Sequence, residues 1–214
     1  KGKGDSVTQN YYLPAFTTIK NSLSADVYLT QDSITSVSIK GQPNILEILE
    51  LKVVNNELSI GFKNNCGSVK HDALEIDIHL PTLEKIDLSG SGNVKTMNQF
   101  SSNSFQMNIS GSGNITASIV SSSIVKGNIS GSGGFYLSGS TSSEDFTISG
   151  SGDIRSFALL SDYSSINISG SGNADVYVNE HLDAHISGSG DIKYKGNASV
   201  NSSISGSGTV QHVE

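Results

Sequence analysis

Ile109-Ser110-Gly111-Ser112-Gly113-Asn114-Ile115 decides the fold, because its pattern recurs at a nearly constant interval. Ser-Gly-Ser-Gly occurs seven times, starting at Ser89, Ser110, Ser130, Ser149, Ser169, Ser187 and Ser205, in steps of 21, 20, 19, 20, 18 and 18 residues. Fourteen of the 23 glycines sit in these copies: Gly90, Gly92, Gly111, Gly113, Gly131, Gly133, Gly150, Gly152, Gly170, Gly172, Gly188, Gly190, Gly206 and Gly208. The residue before each copy is aliphatic: Leu88, Ile109, Ile129, Ile148, Ile168, Ile186, Ile204. The second residue after it is also apolar: Val94, Ile115, Phe135, Ile154, Ala174, Ile192, Val210. Between them stands Asn93, Asn114, Gly134, Asp153, Asn173, Asp191 or Thr209, polar or glycine each time and so expected to face water. Two short alternating strands flanking a glycine corner explain this pattern.

A coil of about 19 residues cannot bury its own apolar face and must stack on its neighbours. Strands that recur in one order at one period stack in parallel, with their corners aligned. The expected fold class is therefore all-β, a parallel β-helix, right-handed, with coils of about 18–21 residues. At a strand spacing of ~4.8 Å, seven coils make a rod of about 30 Å with columns of like residues inside. The corner glycines are expected to supply backbone angles that a side chain resists. The corner serines are expected to bond nearby backbone or one another. A helical solenoid needs a period that this Gly and Ser density breaks, and a β-propeller blade needs about 40 residues.

Residues 1–88 lack the motif but read as β. Ala25–Thr30 and Val37-Ser38-Ile39 alternate, and Leu46–Val54 precedes an Asn55-Asn56 turn and Leu58–Phe62. Leu46–Val54 also admits a helix; its β-branched residues and the Asn-Asn turn favour a strand. Leu74–Leu80 alternates cleanly until Pro81, which ends the strand or places it at an edge. No linker-like stretch divides the chain. Residues 1–214 are expected to form one unit, with 1–88 as irregular coils covering one end and 89–214 as seven repeats. Whether 1–88 join the repeats in register is open at this point.

Composition narrows the function classes. Apolar residues are 35% of the 214, enough for a core. A net charge of −7 argues against a nucleic-acid partner. No run of 18 apolar residues exists to span a membrane. The single cysteine, Cys66, can form neither an internal disulfide nor a metal site, and its Asn64-Asn65-Cys66-Gly67 setting is turn-like. The chain begins at Lys1, as a mature or trimmed protein would.

One junction is distinctive: Leu80-Pro81-Thr82-Leu83-Glu84-Lys85-Ile86-Asp87-Leu88-Ser89-Gly90-Ser91-Gly92, followed by serial Ile-Ser-Gly-Ser-Gly-(Asn/Asp) units. With Phe16–Ile19 and Asp26–Leu29 ahead of it, the chain resembles the auto-transporter adhesin, head GIN domain family, common in Bacteroidetes, from about Tyr12 to Val210. The resemblance implies an exported β-helical protein, periplasmic or at the cell surface, often lipid-anchored through a removed N-terminal segment. It carries over no catalytic residue, cofactor or metal.

The residues that invite chemistry each have a plainer reading. A calcium β-roll would need Asp where this repeat has Val94, Ile115, Phe135, Ile154, Ala174, Ile192 and Val210. Asp153 and Asp191 then read as solvated corner residues. His181 and His185 lie four apart but enter a strand, and zinc needs more ligands than they supply. Glu144-Asp145, in a Ser-rich stretch, reads as a solvated acidic pair. Asn108, Asn114, Asn128, Asn167, Asn197 and Asn201 head Asn-x-Ser/Thr triplets that a Ser/Asn-rich repeat produces by itself. Tyr136, Tyr163, Tyr177 and Tyr194 are the candidate contacts for a glycan or other partner. Alternation is read as placing Tyr136 and Tyr177 on opposite faces, which weakens a continuous tyrosine column.

The expected function is a non-catalytic adhesion or binding module of the cell envelope. Its partner would be a glycan, an envelope protein or a second copy of the chain. A self-associating scaffold is the alternative, and a polysaccharide-active enzyme a more distant one. The last would require clustered carboxylates in a groove.

Overall fold

The computed structural model describes residues 1–63 and 69–214, so Cys66 lies outside the described residues. The first strands are β1 (Val7–Tyr11), β2 (Thr18–Asn21), β3 (Asp26–Gln31) and β4 (Ser36–Gly41), followed by a single-turn helix α1 (Pro43–Leu46). Next come β5 (Leu49–Val54), β6 (Glu57–Phe62), β7 (Glu75–Leu80), β8 (Lys85–Leu88) and β9 (Val94–Thr96). The repeats supply β10 (Phe100–Ile109), β11 (Ile115–Ile129), β12 (Phe135–Ile148), β13 (Ile154–Ile168), β14 (Ala174–Gly188), β15 (Ile192–Lys195), β16 (Ser199–Gly206) and β17 (Val210–His212).

From β8 onward every pairing is parallel, and the chain is a β-solenoid. The residues before the corners stack in register from Leu88 to Ile204. The residues two past the corners stack from Val94 to Val210. Apart from Ile204 and Val210 on the last rung, all of these are buried. Each buried aliphatic side chain contributes about 1.5–3 kcal/mol. Gly127 makes room in this core: a Cβ there would lie 2.6 Å from the Phe135 ring and 2.9 Å from that of Phe146.

Three expectations change. The short strands flanking each corner extend into β11 to β14, each 14 or 15 residues long. Away from the corner the coil bends through register shifts, as β-bulges allow. Between β13 and β14, Ser156 and Leu160 face the consecutive Val176 and Tyr177, so three extra residues enter. One is given back where Ser161 and Tyr163 face Val178 and His181. The net gain of two is the difference between the 20-residue step and the 18-residue step on either side.

The corner glycines also have a different cause. Of the fourteen, only Gly188 and Gly206 carry a positive φ. What excludes a side chain is the corner below. A Cβ on Gly113 would strike the Gly92 carbonyl oxygen, and one on Gly133 the Gly113 carbonyl oxygen, well inside the 3.0 Å that real Cβ atoms keep. The corners pack backbone on backbone, and their amides extend the ladder: Ser132 N–H donates to Gly111 O at 3.2 Å, and Ser151 N–H to Gly131 O at 3.2 Å. The corner serines turn outward instead of pairing. Of the fourteen corner serines only Ser169 reaches a carbonyl with its Oγ, 3.5 Å from Ile148 O.

Residues before the repeats join the stack in register but out of order. β2 pairs in parallel with β6 on one side and β8 on the other, and β3 likewise with β7 and β9. The rung holding β2 and β3 therefore lies between one holding β6 and β7 and one holding β8 and β9. β4 runs antiparallel on β7, and β1 antiparallel on β4. β5 runs antiparallel on β6 through Asn55 and Asn56, both at positive φ as a tight hairpin turn demands. Leu46 closes α1, so the helical and extended readings of Leu46–Val54 each hold for part of it. In the column before the corners, the place under Leu88 is taken by the fully buried Asn21. Its Nδ2 donates to Ala25 O at 3.1 Å and its Oδ1 accepts Leu23 N–H at 3.0 Å, closing the turn on which the first glycine corner rests.

Candidate binding face

The stacked corners form an edge of exposed serine hydroxyls, and the strands leaving and entering them form a polar flank on each side. On the leaving side, the position just past the corner is a hydrogen-bonded ladder and not merely a wetted residue. Asp26 Oδ1 accepts Asn93 N–H and Nδ2–H, both at 3.0 Å. Asn93 Oδ1 accepts the same two groups of Asn114, and Asn114 Oδ1 accepts Gly134 N–H at 2.9 Å. Gly134 has no side chain to continue the ladder. It restarts at Asp153, whose Oδ1 accepts Asn173 N–H and Nδ2–H, and runs through Asn173 to Asp191 and Thr209. The Thr209 hydrogen bonds hold the Asp191 carboxyl below its ordinary range.

Two residues further on, a second outward column runs Tyr28, Lys95, Thr116, Tyr136, Arg155, Asp175, Lys193. Short side chains at Thr116 and Asp175 stand between longer ones. Each leaves a notch against the ladder, about 390 Å³ at Thr116 and about 280 Å³ at Asp175. At the break in the ladder, the Tyr136 ring lies over Gly134, 3.4 Å from where a Cβ would be. The Arg155 guanidinium stands 5.7 Å from the ring centroid and 3.8 Å from the Asp153 carboxylate. Asp175 and Lys193 make no side-chain hydrogen bond or ion pair within those distances among the described residues. Burial raises the Asp175 pKa, against the opposing pull of Lys193 and Arg155.

The entering flank is built the same way. Lys20, Asp87, Asn108, Asn128, Thr147, Asn167, His185 and Ser203 form its outward column. Asn108 Nδ2 donates to Asp87 Oδ1 at 2.6 Å and Asn128 Nδ2 to Asn108 Oδ1 at 2.9 Å. Shallow clefts of about 420 and 250 Å³ lie between this column and the first corner serines.

The four tyrosines fall in four different columns, facing Arg155, His181, Lys195 and His212 respectively on the next rung. Tyr136 and Tyr177 both sit at outward positions, three and five residues past their corners, which corrects the opposite-face assignment. Tyr194 turns inward against the core and meets the His212 ring at 5.0 Å. Tyr163 is 51% exposed on another part of the coil, where the neighbouring Glu180 carboxylate raises its pKa. Of the four, Tyr136 alone borders the leaving-side notches. His181 Nδ1 lies 2.9 Å from Ser199 Oγ and its Nε2 3.4 Å from Asp183. Among the described residues no three His, Cys, Asp or Glu side chains are grouped to hold a metal.

Glu144 corrects the reading of a solvated pair. It is 2% exposed, in the interior column Phe105, Val125, Glu144, Ser164, Leu182. Neither carboxyl oxygen, nor Ser164 Oγ, has a well-formed hydrogen bond. Burial pushes the carboxyl up to about 8, against smaller opposing pulls from Ser164 and Ser161, so it is protonated near neutrality. The parity signal was present: Glu144 alternates with the inward Phe146 and Ile148, and Asp145 with the outward Thr147.

A parallel solenoid with stacked glycine corners and polar ladders on both flanks defines a class of repetitive, rod-like β-proteins. Within that class, the chain belongs to the family described as "Putative auto-transporter adhesin, head GIN domain", whose model matches residues 15–198. A solved structure called a putative adhesin, from Bacteroides fragilis, is 24% identical, with a TM-score of 0.94 over 99% of each chain. A second, from Parabacteroides distasonis, is 24% identical with a TM-score of 0.79, covering 99% of this chain and 98% of that one. A third, also from Parabacteroides distasonis and called a putative lipid binding protein, is 24% identical with a TM-score of 0.80, covering 100% and 98%. These identities establish a shared fold. No curated protein sequence matches the chain. Among the described residues no helix is long and apolar enough to cross a membrane.

Proposed function

We propose that the chain is an exported, non-catalytic adhesion module of the cell envelope, periplasmic or surface-held, that binds its partner with the serine edge and its polar flanks. The observation that carries this reading is the relief of outward amides, carboxylates and hydroxyls repeated rung after rung and interrupted at Gly134, on a family of adhesin type. Lipid anchoring ahead of Lys1 accords with it. A lipid ligand fits less well, since an acyl chain needs an enclosed apolar cleft, and these open notches mix Asp, Asn, Thr, Lys and Arg with Tyr28, Tyr136 and strand aliphatics. Hydrolysis also fits less well. Asp153, Asp175 and Asp191 do share a notch, but Asp153 is tied to Asn173 and Arg155, and Asp191 to Thr209, which leaves Asp175 without a second free carboxylate.

Purified protein coated on beads is expected to hold the beads to bacterial or host surfaces. Soluble protein should compete them off. Beads that never exceed an albumin-coated control would end the adhesion reading. A self-associating scaffold is the second reading, favoured by β16, where Val200 (37%) and Ile204 (44%) stay exposed. Sedimentation that remains monomeric across a wide concentration range would exclude it.

A further inference from the structure

The leaving-side flank has two notches on one face, set by Thr116 and Asp175 in the same outward column. They are three rungs apart, about 14 Å at ~4.8 Å per rung. Between them the Tyr136 ring fills the gap that Gly134 leaves in the ladder, with 39% of the residue exposed. Arg155 lies against the ring on the side of the second notch. Asp175 and Lys193 reach into that notch with their polar ends unmatched among the described residues.

We propose that the two notches are subsites of one elongated site for a neutral oligosaccharide lying along the rod, with Tyr136 as the platform between them. The inference rests on the reading of the chain as a binding module and names the ligand class of that module.

Four features select this occupant. The lining offers carboxylate acceptors beside Lys and Arg donors, and a sugar hydroxyl uses both at once, donating one hydrogen bond and accepting another. The second notch carries Asp153, Asp175 and Asp191 against Arg155 and Lys193, so its local charge is close to balanced; with −7 on the whole chain, a polyanion gains nothing there. On both sides of Gly134 the Asn/Asp ladder that backs the notches recurs from rung to rung, as the groups of an oligosaccharide do from ring to ring. An aromatic side chain with an apolar body and a polar tip suits the C–H face of a sugar ring. An extended peptide fits worse. Strand addition needs an open sheet edge, and the strands of this flank are paired on both sides.

The test is a binding series with neutral cello-, manno- and malto-oligosaccharides of increasing length, beside sialylated and sulfated oligosaccharides. Binding to at least one neutral series is expected, tightening with length as the chain spans both notches. Tyr136→Ala and Asp175→Asn are each expected to weaken it by about tenfold, the loss of one good contact. Thr116→Trp, which fills the first notch, should weaken long oligosaccharides to the level of short ones. Tyr163→Ala, on another part of the coil, should leave binding unchanged. Thermal melts of each variant separate lost binding from lost folding.

Affinity insensitive to Asp175→Asn and Thr116→Trp, or confined to the acidic oligosaccharides, would overturn the proposal. Beads that adhere through a protein surface while no oligosaccharide binds would overturn it and leave the adhesion reading standing. Failure in both assays removes both.

Discussion

Glu144 shows how much one inward residue can weigh. Its column is otherwise Phe105, Val125, Leu182 and a serine, and a carboxyl there holds its proton because the charged form would lose its water. The folded pKa is raised, so the unfolded chain gives up this proton first. Its contribution to stability is whole below about pH 4.5 and is lost as the pH climbs through the folded value of about 8. The loss is on the order of 5 kcal/mol across that window. Glu144→Gln cannot titrate, so its urea midpoint should lack the decline that the parent shows between pH 5 and pH 8. Parallel midpoint–pH curves for the two proteins would show that Glu144 is not the group responsible. Tyr136 and Asp175 are the other residues whose setting matters singly. Each was visible as an outward position past a corner. Their neighbours across rungs were not visible until the register was known.

The corner is the element that makes the rod. Its glycines answer to the corner beneath them more than to their own torsion angles. The first such turn, Ser22-Leu23-Ser24-Ala25, illustrates the rule. Gly90 and Gly92 sit over the Leu23 and Ala25 carbonyls, so closely that a Cβ on either would strike the oxygen below it. Gly133→Ala would push a methyl into Gly113 O and to 2.9 Å from Ile109 Cγ2. It should destabilise the protein by about 3 kcal/mol, since backbone on both sides has nowhere to move. Ser132→Ala, one residue away with its hydroxyl in solvent, should stay within about 0.5 kcal/mol of the parent. Denaturant midpoints decide it, and equal values for the two variants would refute the stacking explanation. The strands between corners carry the second lesson. Bulges absorb steps of different length, which is why corner spacing can vary while the columns beside each corner stay in register.

The whole molecule is graded in stability along its axis. β11 to β13 have parallel partners on both sides, whereas all eight residues of β16 are exposed and its pairing is with β14 alone. Amide exchange should therefore be slowest in β11–β13 and fastest in β16 and β17, with the N-terminal rungs kept slow by the antiparallel cover of β1, β4 and β5. Uniform protection along the rod would contradict this. The out-of-order N-terminal rungs bear on cooperativity as well. Ile19 lies between Leu58 and Ile86, so residues 18–21 fasten β6 to β8 and the repeats beyond it.

The amino-acid sequence by itself determined the architecture. A corner every 18–21 residues with aliphatic flanks can bury its apolar face only by stacking, and period-two alternation says which residues face inward, Glu144 included. It also determined the family, through the serial motif. Tertiary structure decided everything that depends on which residue lies one rung away. The Asp26–Asn93–Asn114 ladder, its break at Gly134, the notches at Thr116 and Asp175, and the insertion of residues 18–31 between two later segments all join positions 18 or more residues apart. Pairing register governs such contacts, and the pattern of one coil read alone does not contain it.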